Sequence, residues 1–147
     1  MAYKSKFTPK NPNKYVGNHN NIICRSLWER TFCKYLDENT NVIRWSSEEL
    51  QIPYVSPVDN KVHMYYPDFL FEVKKQNEVE TVVVEIKPDK QTKQPEPGKK
   101  SKRTFITEVM QYEINKAKWK SATKFCVEHG WKFMIITENN MFKGKNT

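Results

Sequence analysis

The chain has 147 residues, a length typical of one compact domain with a single hydrophobic core. Its composition, 37% hydrophobic, 13% aromatic and 29% charged, excludes collagen-like, repeat and wholly disordered architectures. No apolar run approaches the ~20 residues that cross a membrane, and the first residues lack the apolar stretch of a secretory signal, so we expect a cytosolic protein.

The net charge of +8 is concentrated in two segments, 1–25 and 87–103, while the rest of the chain is nearly neutral. Both segments are rich in Pro, Asn, Gln and Ser, which predicts a basic extended arm over 1–24 and a basic mobile loop over 88–102. Such segments favour a polyanion, with DNA as the natural partner, although they also serve solubility alone. The expected phosphate contacts are Lys4, Lys6, Lys10, Lys14, Arg25, Lys99, Lys100, Lys102 and Arg103.

The first strongly periodic segment predicts a helix over 26–39. Trp28, Phe32 and Leu36 recur at helical spacing and form one apolar stripe. Ser26 and Glu29 have the spacing of a capping box, in which a serine hydroxyl and an acidic side chain satisfy free N–H groups at a helix start.

Short strands and a second helix follow. The strands are predicted at 42–45, 50–55, 62–73 and 79–87, with Pro53 favouring an edge or bulge and a tight turn at Gln76 and Asn77. A long helix is predicted over 103–129, with a break near Asn115 because its apolar residues form two stripes, and with Gly130 as its C-terminal cap. A strand over 132–137 and a polar tail complete a single α/β domain, 1–147, with a mixed, mostly antiparallel sheet flanked by helices.

The predicted hairpin over 62–87 brings two acidic residues together. In the register set by the two-residue turn, Asp68 faces Glu85, with Cβ atoms about 4.5–5.5 Å apart. Apolar pairs on both sides of the hairpin indicate that both faces are covered. Two neighbouring carboxylates in such a place repel each other unless one is protonated or a cation joins them.

Lys87 lies on the same face, one pleat beyond Glu85. Carboxylate oxygens suit a hard divalent cation, so we expect Mg²⁺ or Mn²⁺ to bind here, with the backbone carbonyl of Ile86 as a further ligand. Lys87 would orient a water molecule or neutralise developing charge. The alternatives remain that Glu-x-Lys only ends a strand and that Pro67 and Asp68 only form a turn.

At these residues the chain resembles the PD-(D/E)xK nuclease superfamily, with Pro67 and Asp68 as one half of its motif and 85–87 as the other. The resemblance implies a restriction-endonuclease-like core and a catalytic role for Asp68, Glu85 and Lys87. A helix before the hairpin often supplies another acid in that superfamily, which makes Glu29 a candidate fourth catalytic residue and metal ligand beside its capping role.

Further segments resemble the TnsA-like endonucleases and, within that branch, the head-completion nucleases of large tailed bacteriophages. The similarity lies in the opening 1–17, in 25–29, in the two motif halves and in 125–138. It implies endonuclease and exonuclease activity on DNA at head-to-tail joining after packaging, head or neck (portal-connector) proteins as partners, and a place in the host cytoplasm during assembly or on the virion.

We therefore expect a Mg²⁺-dependent deoxyribonuclease that hydrolyses phosphodiester bonds. One rival is a non-catalytic head or neck scaffold that binds DNA ends and keeps only the fold. Another is a transposition or restriction-type endonuclease, which would require a partner subunit or site-selective cuts.

Overall fold

The structure is a computed structural model that describes residues 4–143; residues 1–3 and 144–147, the two ends of the predicted domain, lie outside the described residues. The strands are β1 (Ser5–Phe7), β2 (Ile22–Cys24), β3 (Val42–Ser47), β4 (Ile52–Val55), β5 (Val62–Tyr65), β6 (Phe69–Lys75), β7 (Glu78–Ile86) and β8 (Lys132–Ile136). The helices are α1 (Leu27–Glu38), α2 (Lys102–His129) and α3 (Glu138–Lys143), and two 3₁₀ turns lie at Pro12–Lys14 and Asp89–Thr92.

A four-stranded sheet in the order β3-β6-β7-β8 forms the centre of the molecule. β3, β6 and β7 are antiparallel neighbours, and β8 runs parallel to β7. Helix α1 packs on one face, where Phe32 and Leu36 meet Phe69 and Val84. Helix α2 packs on the other face against β8 and against the two-stranded β4–β5 sheet. The expected mixed α/β architecture with flanking helices is confirmed.

Helix α1 begins where the capping pattern predicts. The Ser26 hydroxyl accepts a hydrogen bond of 3.1 Å from the N–H of Glu29. Phe32 and Leu36 are buried, and Trp28 packs partly against the same core. The serine cap and the apolar stripe together fix both the start of the helix and the face that it turns to the sheet.

The segment predicted as an extended arm is folded into the domain. β1 pairs antiparallel with β2, and Tyr15, Ile22 and Cys24 are core residues with at most 8% exposure. The prediction overlooked that these apolar side chains give the segment a surface to bury, which outweighs its charge and proline content.

The predicted strand over 62–73 is two strands that belong to different sheets. β5 pairs with β4, while β6 pairs with β7. Tyr66, Pro67 and Asp68 separate them, and the missing N–H of Pro67 would interrupt a continuous ladder. The chain therefore changes sheets immediately before Asp68, and this acid lies at a junction rather than within a strand.

Helix α2 runs without the predicted break near Asn115. The surroundings of the helix change along its length, because its first half borders loop residues 90–100 and its second half packs on β4 and β8. Ile106 and Met110, in the first half, stay exposed. Gly130 ends it with a φ of 72°, a left-handed conformation that glycine adopts without strain. The predicted polar tail contains helix α3. Within residues 4–143, no helix is both long and apolar enough to cross a membrane.

Candidate active site

The acidic motif lies where β7 ends and β6 begins. The predicted hairpin register is confirmed, since Phe69 pairs with Val84 and Phe71 with Val82. Asp68 comes one residue before this ladder, and its Oδ2 accepts a hydrogen bond of 2.7 Å from the N–H of Ile86. The ladder and this bond place the Asp68 carboxylate beside the last residues of β7.

Glu85 is held from two directions. Its side chain is buried, and its Oε1 accepts a hydrogen bond from the hydroxyl of Tyr65 on β5. The Nζ of Lys87 lies 3.8 Å from its Oε2, and the Lys87 side chain is 27% exposed. Glu85 and Lys87 therefore face the same spot, as their spacing on the strand predicts.

Glu29 lies at the first turn of α1 and joins the same electrostatic environment. Its Oε1 accepts a hydrogen bond of 3.2 Å from the N–H of Arg25, so the side chain caps the helix start while its N–H bonds Ser26. The charge of Glu29 also acts on Asp68 and Glu85 and raises the pKa of each. Capping and proximity to the site thus coexist.

The pKa of each of the three carboxyl groups is raised above its ordinary value. Burial is the main cause of the raised pKa of Asp68, and the charges of Glu85 and Glu29 add to it. Burial likewise raises the pKa of Glu85, against the opposing effects of Tyr65 and Lys87. The pKa of Glu29 is raised by burial and partly offset by the N–H of Arg25. Concentrated negative charge of this kind is what a divalent cation relieves.

A clamp between Arg25 and Glu48 supports the junction that carries Asp68. The Arg25 guanidinium makes hydrogen bonds of 2.8 and 3.1 Å to the two carboxylate oxygens of Glu48. Glu48 has a φ of 56°, and its N–H donates to the carbonyl oxygen of Asp68 at 3.1 Å. A side chain in this region of φ carries backbone strain, which the clamp and the hydrogen bond offset.

The donor set fits a hard divalent cation that keeps part of its hydration shell. Oδ2 of Asp68 and Oε1 of Glu85 are engaged, while their other oxygens accept no hydrogen bond from the described residues. No group of three His, Cys, Asp or Glu side chains within residues 4–143 could enclose a metal ion by itself. These second oxygens, of which that of Glu85 lies 3.8 Å from the Lys87 Nζ, could bind a cation together with the carbonyl of Ile86, and the remaining positions would go to water or substrate oxygens, as Mg²⁺ prefers.

The fold engages some of the predicted phosphate contacts and leaves the others exposed. Lys14 has a structural role instead, because its Nζ donates to the carbonyl oxygens of Leu36, Asp37 and Asn39 at 2.8–2.9 Å. Lys100 pairs with Glu108 at 2.6 Å. The remaining lysines and Arg103 are exposed, at Lys4, Lys6, Lys10, Lys99, Lys102 and Arg103.

Two residues at the site escaped the sequence analysis. Tyr65 reaches Glu85 from β5, and Lys118 reaches Tyr65 from α2, with its Nζ 5.6 Å from the centre of the tyrosine ring. Tyr65 immediately precedes the Tyr66-Pro67-Asp68 junction, and this position beside the motif is the one feature of the sequence that indicates a role for Tyr65 at the site. The position of Lys118 depends on how α2 packs, which no local pattern encodes.

Two acids and a lysine lie at the open end of a β-hairpin, on a mixed sheet between helices, which is the arrangement that the PD-(D/E)xK pattern predicts. The profile of the family described as TnsA-like endonuclease N terminal matches residues 39–138, a range that contains Asp68, Glu85 and Lys87. The chain belongs to this endonuclease family.

A similar protein extends the likeness over nearly the whole chain. The head completion nuclease of Enterobacteria phage T4 is 36% identical over 152 residues, which cover 98% of this chain and 99% of that protein. No solved structure matches the chain significantly.

Proposed function

We propose that this protein is a Mg²⁺- or Mn²⁺-dependent deoxyribonuclease that acts in phage head completion. The observation that carries the proposal is the paired arrangement of Asp68 and Glu85. One oxygen of each is fixed by a hydrogen bond, and the other accepts no hydrogen bond from the described residues, although that of Glu85 lies 3.8 Å from the Lys87 Nζ. Membership of an endonuclease family and similarity to a head completion nuclease support the reaction and its setting.

Each residue has a defined task in this proposal. Asp68 and Glu85 would hold the cation, with the carbonyl of Ile86 as a further ligand, and Glu29 would add negative charge beside them or serve a second metal position. A bound divalent ion would neutralise phosphate charge and lower the pKa of a coordinated water. Lys87 orients the attacking water and neutralises charge that develops on the phosphate. Water attacks phosphorus, and the bond to a sugar oxygen breaks.

The exposed basic residues would hold the DNA backbone. Lys4, Lys6 and Lys10 precede the core, and Lys99, Lys102 and Arg103 lead into α2. Arg25 also belongs to this group, because its side chain is 55% exposed although it pairs with Glu48. Because phosphate contacts release counterions, DNA affinity should fall steeply as the salt concentration rises.

We infer the biological setting from the similarity to the phage head completion nuclease. A nuclease that completes heads would meet DNA and head or neck proteins in the host cytoplasm during assembly, or remain with the virion. Trimming of DNA ends at the head-to-tail joint is the step that endonuclease and exonuclease activity would serve. An assembly assay would add the purified protein to phage heads that lack it and measure head-to-tail joining.

Replacement of Glu85 by Gln tests the proposal directly. We expect Glu85→Gln to bind DNA with the parental affinity and to lose plasmid cleavage in Mg²⁺ by at least about 10²-fold, because the amide cannot hold the cation. Glu78→Gln is the matched control, since Glu78 is exposed at the other end of β7. Parental cleavage by Glu85→Gln, or inertness of the parent with every divalent metal, would contradict the proposal and favour a DNA-end-binding scaffold.

A further inference from the structure

A second lysine besides Lys87 lies near the carboxylate pair. Lys118 lies in the second half of α2, above the β4–β5 sheet. Its Nζ is 5.6 Å from the ring centre of Tyr65 and 5.9 Å from that of Tyr54. Both distances are within the range of an attractive cation–π contact, so the two tyrosines fix the direction of the Lys118 side chain.

Tyr65 connects this lysine to the site. The hydroxyl of the same ring donates to the Oε1 of Glu85, so Lys118 stands over a side chain that contacts the buried acid. The charge of Lys118 lowers the pKa of Glu85. Burial lowers the pKa of Lys118, while Glu85 and Asp68 raise it and Lys87 lowers it. Two lysines and two carboxylates therefore share one electrostatic environment.

The ammonium group of Lys118 lacks a hydrogen-bond acceptor among residues 4–143. Other lysines in this region behave differently, since Lys116 pairs with Glu113 at 3.4 Å and Lys100 with Glu108 at 2.6 Å. An ammonium group that is half-buried has lost part of its hydration and gains most from an anionic partner. A phosphate oxygen of a DNA substrate, held by a cation at Asp68 and Glu85, would supply that partner.

We propose that Lys118 is a second phosphate-binding lysine of the active site, which contacts the scissile phosphate from the α2 side of the carboxylate pair. The proposal rests on the proposed nuclease function and deepens it. As the water oxygen bonds to phosphorus and the bond to the leaving sugar oxygen breaks, negative charge grows on the phosphoryl oxygens. The water proton ends on the leaving oxygen. Lys118 would stabilise the growing charge together with Lys87.

The test compares neutral and charged replacements of Lys118 in single-turnover DNA cleavage with Mg²⁺. We expect Lys118→Met and Lys118→Gln to slow cleavage by about 10²–10³-fold, and Lys118→Arg to recover a substantial part. Lys120→Met is the matched control, because Lys120 is exposed on the same helix, and it should cleave at the parental rate.

Two further measurements exclude a purely structural role. The thermal midpoints of the Lys118 variants should match the parent, and DNA binding in EDTA should show a salt slope lower by about one for Lys118→Met. Cleavage by Lys118→Met within threefold of the parent would overturn the proposal, as would unfolding of both neutral variants. If the parent itself does not cleave, the nuclease assignment fails, whereas an active parent with unaffected Lys118 variants refutes only the role of Lys118.

Discussion

The carboxylate of Asp68 accepts a hydrogen bond from the main-chain N–H of Ile86, the residue that stands between Glu85 and Lys87. One bond of 2.7 Å thus joins the two halves of the motif across the hairpin end. Because the N–H belongs to a strand within the central sheet, the orientation of Asp68 is tied to that sheet.

We expect Asp68→Asn to abolish metal-dependent cleavage while the fold remains intact. The amide oxygen can still accept from the Ile86 N–H, but the neutral side chain cannot hold a divalent cation, so the rate should fall by at least about 10²-fold. Plasmid cleavage and circular dichroism measure the two effects. Asp59→Asn, at an exposed acid of the β4–β5 turn, is the control and should leave cleavage unchanged.

The same substitution should change how stability depends on pH. Burial and neighbouring charges raise the pKa of Asp68 above its ordinary value of 3.8, so the folded chain holds this proton more tightly than the unfolded chain. Stability from this source is complete below the unfolded pKa and is lost as the pH rises through the folded value. In EDTA, Asp68→Asn should gain stability relative to the parent as the pH rises above about 4.

Urea unfolding of both proteins at a series of pH values measures this difference. Mg²⁺ should reduce it at neutral pH, because a cation that binds only the folded parent stabilises that protein by mass action. A constant difference between the two proteins across the whole pH range would show that Asp68 titrates normally.

Tyr65→Phe should shift the pH–rate profile without unfolding the protein. The Tyr65 hydroxyl lowers the pKa of Glu85, so its removal lets that pKa rise and moves the acid side of the profile to higher pH. Loss of the orienting bond should also lower the maximal rate by about 10-fold. Tyr66→Phe is a close control, since Tyr66 is adjacent and 48% exposed. Identical profiles for the parent and Tyr65→Phe would refute this role.

Substitutions of Lys14 and Lys10 should affect different properties, the first stability and the second DNA binding. Lys14→Met removes three hydrogen bonds from the carbonyl end of α1 and should lower the free energy of unfolding by about 1–2 kcal/mol, with unchanged DNA affinity. Lys10→Met, at an exposed side chain, should weaken DNA binding and leave stability unchanged. Urea denaturation measures the stability of each variant, and a titration with DNA measures its affinity. If Lys14→Met alone weakened DNA binding, Lys14 and not Lys10 would be the DNA contact.

The part of the site that the sequence predicts is the part set by short-range geometry. A tight turn at Gln76 and Asn77 determines the hairpin register, and the register brings Asp68 to the end of β7. The capping spacing of Ser26 and Glu29 sets the start of α1 in the same way. In both cases the relevant contacts join residues whose relation is determined by one turn or one helix end.

The contacts missing from the sequence analysis join separate elements. Tyr65 and Lys118 reach the site only because α2 packs across the β4–β5 sheet, and side-chain periodicity does not specify that packing. The basic N-terminal segment was predicted as an arm because charge and proline content dominate its composition. The few apolar residues that anchor it, Tyr15 and Ile22 among them, decide its conformation.

Because β7 lies between β6 and β8, its backbone has paired neighbours on both sides from Val82 to Val84. Amide protons of Val83 and Val84 should then exchange with solvent only when the whole domain opens. The N–H of Ile86 lies just beyond the β6 ladder and is protected on that side by the Asp68 carboxylate instead of a strand. The exchange rate of this single amide proton should therefore report how often Asp68 leaves the end of β7.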